Sequence, residues 1–167
     1  MNVAELRREK DDYFRRAPDS PLTPEQRGSF SGLRYFPEDP KFRFTVALDR
    51  TAAGGEEGVE MSDGSTNVLR RSGTLRFRVD GTEVALVAYE QAHELFVPFR
   101  DVTSGKESYG AGRYVEADPV GNSRYLLDFN RAYNPYCAYN ESWRCPLPPR
   151  ENWLAVAIRA GERSFHD

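Results

Sequence analysis

Between Tyr125 and Glu162 the sequence concentrates side chains that could do chemistry. The stretch reads YLLDFNRAYNPYCAYNESWRCPLPPRENWLAVAIRAGE and holds both cysteines and both tryptophans of the chain, with a high density of Asn, Tyr and Arg. Gly, Ser and charged residues dominate disordered connectors. The stretch is therefore predicted to be ordered, with polar groups that converge on a site.

Polar and apolar residues alternate where this stretch begins. Leu127 and Phe129 are predicted to face a core, so Asp128 and Asn130 must face either solvent or the interior of a barrel. The second orientation would create a polar site, whereas the first suits residues that stabilise a turn through their own backbone. Both interpretations are open at this stage. The predicted ligand-binding residues are Arg100, Arg113, Asp128, Asn130, Arg131, Tyr133 and Asn134.

The segment from Phe99 to Tyr114 is a second candidate, because charged residues surround three glycines in it. Backbone N–H groups and a guanidinium could receive an anionic or phosphorylated group. The glycine spacing does not match a phosphate-binding loop. In the alternative interpretation it is a hairpin connection, in which Asp101 and Thr103 satisfy turn amides and Arg113 pairs with an acid.

The two cysteines, Cys137 and Cys145, are separated by seven residues, which fits no tight metal-binding pattern. They could be buried structural thiols, a redox or catalytic pair, or weak metal candidates together with His93. A catalytic thiol needs a base within hydrogen-bonding reach, which a sequence does not reveal. No metal site and no cofactor is therefore assigned.

Length and charge narrow the class of protein. A chain of 167 residues is predicted to be one structural domain, and a net charge of −3 of mixed sign disfavours binding to nucleic acid. No apolar run is long enough to span a membrane, and the charged N-terminus does not resemble a signal peptide. We expect a cytoplasmic protein with reduced thiols that does not associate with membranes. Its oligomeric state is left open.

Periodicity predicts a mainly β protein with an N-terminal helix. A helix is expected from Val3 to Arg16 and a second, short one after a Thr23 cap. Alternating residues predict about seven strands, with a hairpin turn at Asp80-Gly81 and a last strand at Trp153 to Arg159. We expect an antiparallel meander that closes into a small barrel or curved sheet, with a β-sandwich as the alternative. Residues 1–40 form a helical and clamped-loop segment, and residues 41–167 form the β domain.

The run DFNRAYNPYCAYNESWRCPLPPRENWLAVAIRAGE resembles the domain of unknown function 1684 family of bacteria and archaea. Two other runs support the resemblance, PFRDVTSGKESYGAGRYVEA and REKDDYFRRAPDSPLTPEQRGSFSGLRYFPEDP, so that it covers nearly the whole chain. It implies one intact domain. It implies no established activity, substrate or cofactor.

Three functions follow as hypotheses. The first is a β domain that binds a small polar or anionic ligand in a pocket. The second is a hydrolase or thiol-dependent enzyme that uses Cys137 or Cys145, with Asp128 or Glu151 as acid or base. The third is a protein-interaction module that presents the aromatic and proline-rich strap, Pro146–Pro149, to a partner. In the structural alternative, which we favour, Pro146–Pro149 is a rigid connection that the flanking Trp143 and Trp153 anchor to the core.

Overall fold

The computed structural model describes residues 2–166 and contains two α-helices and seven strands. The helices are α1 (Val3–Arg16) and α2 (Pro24–Gly28). The strands are β1 (Arg43–Asp49), β2 (Glu56–Glu60), β3 (Thr66–Val79), β4 (Thr82–Glu90), β5 (Leu95–Phe99), β6 (Arg113–Gly121) and β7 (Arg124–Asp128). The predicted β class with an N-terminal helix is confirmed.

Six of the strands close into an antiparallel barrel, in the order β1-β7-β6-β5-β4-β3. The barrel closes where β1 pairs with β3, through Leu48 opposite Leu75 and Asp49 opposite Thr74. Strand β2 pairs with the first half of β3 and extends the sheet beyond the barrel. The expectation of a small barrel is therefore confirmed over that of a sandwich.

The β3–β4 hairpin forms where its turn residues predict it. Asp80 and Gly81 have φ angles of 48° and 81°, and Val79 pairs with Thr82 across them. Positive φ at both central positions gives the turn whose twist matches that of the strands. The hairpin supplies two long neighbouring walls of the barrel.

Apolar side chains fill the barrel interior. The rings of Phe44, Phe77, Phe99 and Phe129 form its centre, with ring centroids 4.7 Å apart for Phe44 and Phe77 and 5.2 Å apart for Phe99 and Phe129. Burial of this apolar surface is the main stabilising term of the fold. Leu127 and Phe129 belong to the buried core as predicted. Asp128 and Asn130 do not face solvent: both are buried, and Asn130 Nδ2 donates to Asp128.

The predicted last strand at Trp153–Arg159 is wrong. A 3₁₀ turn at Arg150–Asn152 leads into an irregular extended segment that crosses one end of the barrel. Its Ile158 and Ala160 join the core, while its backbone bonds to side chains: Ile158 donates to Asp101 and accepts from Arg113. The segment also bonds to the backbone that follows β5: Leu154 donates to the carbonyl of Arg100, and Val102 donates to that of Val156. The alternating pattern therefore reflected burial, although the segment forms no regular strand.

The N-terminal segment packs against the end of the chain. Helix α1 begins with a capping box between Asn2 and Glu5 and ends at Ala17, before Pro18, as predicted. Its Phe14 meets Tyr139 edge to face, with 4.9 Å between the ring centroids. The division of the chain at residue 40 stays a prediction. Within residues 2–166 no helix is long and apolar enough to cross a membrane.

The proline strap lies along β2. Leu147 donates to the carbonyl of Glu60, and Met61 forms a bridge with Pro146. Trp143 and Trp153 are 40% and 44% exposed, so neither ring is buried in the core as predicted. Trp153 nevertheless bonds to the strap, because its Nε1 donates to the Pro148 carbonyl at 3.1 Å.

Candidate functional site

A surface cleft of about 460 Å³ lies between α1 and the outer face of the barrel. It is lined by Leu6, Arg7, Lys10, Tyr35, Glu94, Glu116, Asp118, Asn130, Arg131, Ala132, Tyr133, Tyr136 and Glu162. These residues come from five parts of the chain: α1, the loop before β1, the turn before β5, β6, and the segments that follow β7. The cleft is therefore a product of tertiary packing.

Helix and strand periodicity explain how the walls form. Arg7 and Lys10 are three residues apart on α1 and share one face of the helix. Glu116 and Asp118 alternate on β6 with Val115 and Ala117, which point into the barrel core. The charged residues of β6 must therefore point outward, toward the helix.

The β6 wall is acidic. The hydroxyl of Tyr133 donates to the Glu116 carboxylate and lies 2.8 Å from each of its oxygens. Burial raises the pKa of Glu116, and the nearby charges of Glu94 and Asp118 raise it further, while the Tyr133 hydrogen bond opposes the shift. Burial and Glu116 also raise the pKa of Tyr133, which keeps this hydroxyl a hydrogen-bond donor. This wall can accept a donor or a cationic group.

The opposite wall is basic and aromatic. The Arg7 guanidinium lies 4.3 Å from the centroid of the Tyr35 ring, and its Nη2 donates to the Asn130 carbonyl at 3.4 Å. Burial lowers the pKa of Arg7 and raises that of Tyr35. Arg131 lies nearby, with its Nε 3.8 Å from Asp128. This wall offers positive charge and N–H donors.

Glu162 connects the two sides of the cleft. Its carboxylate is buried and accepts from Lys10 Nζ at 2.6 Å, from the Asn134 backbone N–H at 3.1 Å and from the Tyr139 hydroxyl. Lys10 also lies 5.0 Å from the centroid of the Tyr133 ring. These contacts fix α1 relative to the barrel and thereby set the width of the cleft.

Two polar atoms of the cleft residues are left without partners. Tyr35 Oη and Arg7 Nε are buried and make no hydrogen bond to any residue between 2 and 166. A buried polar group without a partner typically costs 1–3 kcal/mol. Such groups in a cleft are sites at which a ligand or an ordered water gains a hydrogen bond.

The structure brings three of the seven predicted ligand-binding residues to the cleft: Asn130, Arg131 and Tyr133. Asp128 lies behind them and accepts from Asn130 Nδ2 at 2.9 Å and Arg43 Nε at 3.1 Å. The Asn134 side chain donates to the carbonyl of Arg163. Asp128 and Asn134 therefore lie outside the cleft and make hydrogen bonds to neighbouring segments.

The other two predicted ligand-binding residues, Arg100 and Arg113, do not line the cleft. Arg100 stacks on Trp153, 4.4 Å from its ring centroid. Arg113 is completely buried and donates to Asp101 and to the carbonyls of Ile158, Ala160 and Glu162. These contacts fit the alternative interpretation of the segment from Phe99 to Tyr114, in which Arg113 pairs with an acid.

Sequence reasoning missed the cleft residues Arg7, Lys10, Glu116 and Glu162. The alternation in RYVEAD could have placed Glu116 and Asp118 together on the outer face of a strand. For Lys10 and Glu162, which lie 152 positions apart in the chain, no local signal exists.

The two thiols are brought together, whereas His93 lies apart. The backbone N–H of Cys137 donates to Cys145 Sγ at 3.4 Å. His93 lines a different surface cleft, together with Arg70 and Glu90, and Glu151 pairs with Arg71. Among residues 2–166 no group of three or more His, Cys, Asp and Glu side chains could hold a metal ion. The weak candidate set of Cys137, Cys145 and His93 is thus not assembled.

Comparison with known proteins places the chain in a family. Its fold is similar to that in the solution NMR structure of an uncharacterized protein from Haloarcula marismortui, with a TM-score of 0.77 and 40% sequence identity over 99% of this chain and 94% of that chain. A comparison with curated proteins gives no match. The family model described as "Protein of unknown function (DUF1684)" matches residues 28–163, and the chain belongs to this family.

Proposed function

We propose that this protein binds a small polar molecule in the cleft between α1 and β6. The observation that carries the proposal is the pair of buried, unpartnered atoms, Tyr35 Oη and Arg7 Nε, in residues that line the cleft. Each is a donor whose missing hydrogen bond an acceptor on a ligand would supply.

The size of the cleft supports a small molecule. Its volume of about 460 Å³ lies within the range of roughly 300–1,000 Å³ that is usual for small-molecule sites. Aromatic rings of Tyr35, Tyr133 and Tyr136 provide apolar surface between the charged groups. Such a mixture of rings and a few directed polar groups is typical of sites that orient a ligand.

The charges of the cleft favour a ligand that carries both an anionic group and a cationic group. Arg7 and Arg131 suit an anionic or acceptor group, whereas Glu94, Glu116 and Asp118 suit an ammonium or another donor. A polyanion would meet the acidic wall and be repelled. A compact zwitterion, such as an amino acid or a related amino-carboxylate, matches both walls.

Binding can be tested by NMR titration of the isotope-labelled full chain. Glycine, glutamate, acetate, putrescine and inorganic phosphate serve as separate probes. We expect amino acids to shift backbone amide signals of Arg7, Asn130 and Tyr133 in a saturable manner, and acetate or putrescine alone to shift them less. If none of the five probes produces a saturable shift at the cleft, the proposed zwitterion class is wrong.

Two variants link such binding to the cleft. Tyr35→Phe removes one unpartnered hydroxyl, and Glu116→Gln removes the charge from the acidic wall. Each should weaken amino-acid binding by roughly 5- to 50-fold, the effect of losing one directed polar contact. Tyr13→Phe is the matched control, because Tyr13 lies on α1 but is 40% exposed and outside the cleft. Equal binding by all three variants would show that the cleft is not the site.

A further inference from the structure

We propose that Cys137 and Cys145 are a redox pair, in which a hydroperoxide oxidises Cys137 and Cys145 then closes a reversible disulfide. The inference is independent of the small molecule proposed above. It rests on the contact between the two cysteines and on the Tyr109 hydroxyl, which donates to Cys137.

The fold brings the two cysteines together from separate segments. Cys137 lies in a 3₁₀ turn, Tyr136–Ala138, and Cys145 directly precedes the proline strap. The Cys137 N–H donates to Cys145 Sγ at 3.4 Å. Both are free thiols. A disulfide needs sulfurs at close range on neighbouring segments, which this arrangement provides.

Side chains from two other segments lie beside Cys137. Tyr109 donates its hydroxyl to Cys137 Sγ at 3.8 Å. Ser62 Oγ accepts from the Cys145 N–H at 2.9 Å and donates to the Trp143 carbonyl at 3.4 Å. Tyr109 thus supplies a side-chain donor to the Cys137 sulfur. Hydrogen bonds to the charged form of a group favour that form.

The surrounding groups assign different roles to the two cysteines. The hydrogen bond from Cys145 and those from Tyr109 and Ser62 lower the pKa of Cys137 to about 6, against the effect of burial. The hydrogen bond to Cys137 and burial raise the pKa of Cys145. Tyr109 and Tyr114, the other titratable groups beside the pair, have raised pKa values and stay neutral, and the charge of Glu141 acts on Tyr109. Cys137 is thus the nucleophile and Cys145 the resolving thiol.

Limited exposure restricts the oxidant to a small one. Each cysteine is buried, with 7% of its surface exposed, which leaves little room for an oxidant to approach. A peroxide is small enough for that room, whereas a bulky disulfide is hindered. Oxidation-sensitive cysteines are typically low in pKa, reachable and next to a second cysteine. The pair has all three properties.

The chemistry balances with hydrogen peroxide as the oxidant. The Cys137 thiolate attacks one peroxide oxygen, the O–O bond breaks, and hydroxide leaves and takes up a proton to become water. Cys137 is then a sulfenic acid. The Cys145 sulfur attacks the Cys137 sulfur, the S–O bond breaks, and the departing hydroxide combines with the Cys145 proton as a second water. The two cysteines together lose two electrons, and the peroxide gains them.

The test uses the reduced full chain, a low excess of hydrogen peroxide and intact-protein mass spectrometry. We expect the mass to fall by two hydrogens, both cysteines to become resistant to alkylation, and dithiothreitol to reverse both changes. Cys145→Ser should stop at a Cys137 sulfenic acid that dimedone traps. Cys137→Ser should react roughly tenfold or more slowly than the unchanged chain, because the remaining thiol is protonated at neutral pH.

The pH dependence separates a tuned thiol from an ordinary one. In the unchanged chain, the rate of Cys137 oxidation should rise through about pH 6 and then level off. Tyr109→Phe should move the midpoint upward while the circular dichroism spectrum stays unchanged. The proposal is overturned if the midpoint lies near that of free cysteine, about 8.5, if peroxide yields sulfinic acid without a disulfide, or if both serine variants react at the same rate.

Discussion

The Asn152 carboxamide pairs with the backbone of Val87 through both of its polar atoms, accepting from the N–H at 2.7 Å and donating to the C=O at 2.9 Å. The register of β4 and β5 places Pro98 opposite Val87. Proline has no N–H to donate to Val87, and Asn152 Nδ2 also donates to the Pro98 carbonyl at 2.8 Å. The side chain thus completes the barrel wall where the strand ladder stops.

Replacing Asn152 by alanine should therefore be costly. The change leaves buried backbone groups of Val87 and Pro98 without partners, and we expect a loss of about 3 kcal/mol in the free energy of unfolding. Urea denaturation followed by circular dichroism measures it. Asn67→Ala, at an exposed strand position, is the control and should change stability by less than about 0.5 kcal/mol. Similar values for the two variants would contradict the structural role of Asn152.

A second prediction concerns the buried ion pair of Arg113 and Asp101, whose Nη2 and Oδ1 atoms are 3.2 Å apart. Arg113→Met leaves Asp101 charged and buried, so we expect a loss of about 3–5 kcal/mol in the free energy of unfolding. Arg113→Lys keeps the charge but cannot reproduce the guanidinium contacts to three backbone carbonyls, and it should recover only part of the loss.

The control for this pair is Asp12→Ala, which breaks the exposed contact with Arg15. Exposed pairs contribute up to about 1 kcal/mol. Urea denaturation of Arg113→Met, Arg113→Lys and Asp12→Ala compares the loss from the buried pair with the loss from the exposed pair. A loss after Arg113→Met no larger than that after Asp12→Ala would show that the C-terminal segment is held without this pair.

A third prediction is a dependence of stability on pH through Glu116, whose pKa is raised in the folded protein. In the unfolded chain this carboxyl ionises near its ordinary value of about 4.3, so the folded state keeps the proton to higher pH. Its contribution to stability is therefore fully present below about pH 4.3 and is lost as the pH rises through the raised folded-state pKa.

Glu116→Gln removes this titration and keeps an acceptor for Tyr133. Relative to the unchanged protein, the variant should gain stability as the pH is raised from about 4 to 7. Urea midpoints at several pH values test this, with Glu83→Gln on the exposed side of β4 as the control. Parallel pH profiles for the unchanged protein and Glu116→Gln would contradict the raised pKa.

A fourth prediction concerns the close approach of backbone segments at Gly112. This residue has a φ of +105°, and a Cβ there would lie 2.5 Å from the Phe99 carbonyl oxygen and 2.8 Å from Pro148 Cγ. We expect Gly112→Ala to cost more than about 3 kcal/mol, through strain and the collision with the strap. Thermal unfolding measures it.

Gly64→Ala is the matched control for this position. Gly64 has a similar φ of +85°, but a Cβ there would meet nothing within 4 Å. It should cost about 1 kcal/mol from the backbone conformation alone. The difference between the two variants isolates the collision, and equal costs would show that the strap moves aside freely.

Local features of the fold were predictable because neighbouring residues determine them. The Thr23 cap, the end of α1 before Pro18 and the Asp80-Gly81 turn are each set by a few residues in sequence. The inward orientation of Leu127 and Phe129 follows from strand periodicity. These signals were sufficient for the barrel as a class, although one of the predicted strands, at Trp153–Arg159, does not form.

Contacts between distant segments were decided by the tertiary structure. The segment after Trp153 alternates like a strand, yet it forms no regular ladder, and the backbone of Ile158 bonds to the side chains of Asp101 and Arg113. The candidate cleft likewise depends on the docking of α1 through Lys10 and Glu162. The sequence by itself determined which residues are polar and which local elements carry them. Only packing of the whole chain decided which of them meet, since charge pairing, burial and cleft shape depend on distances that local patterns do not contain.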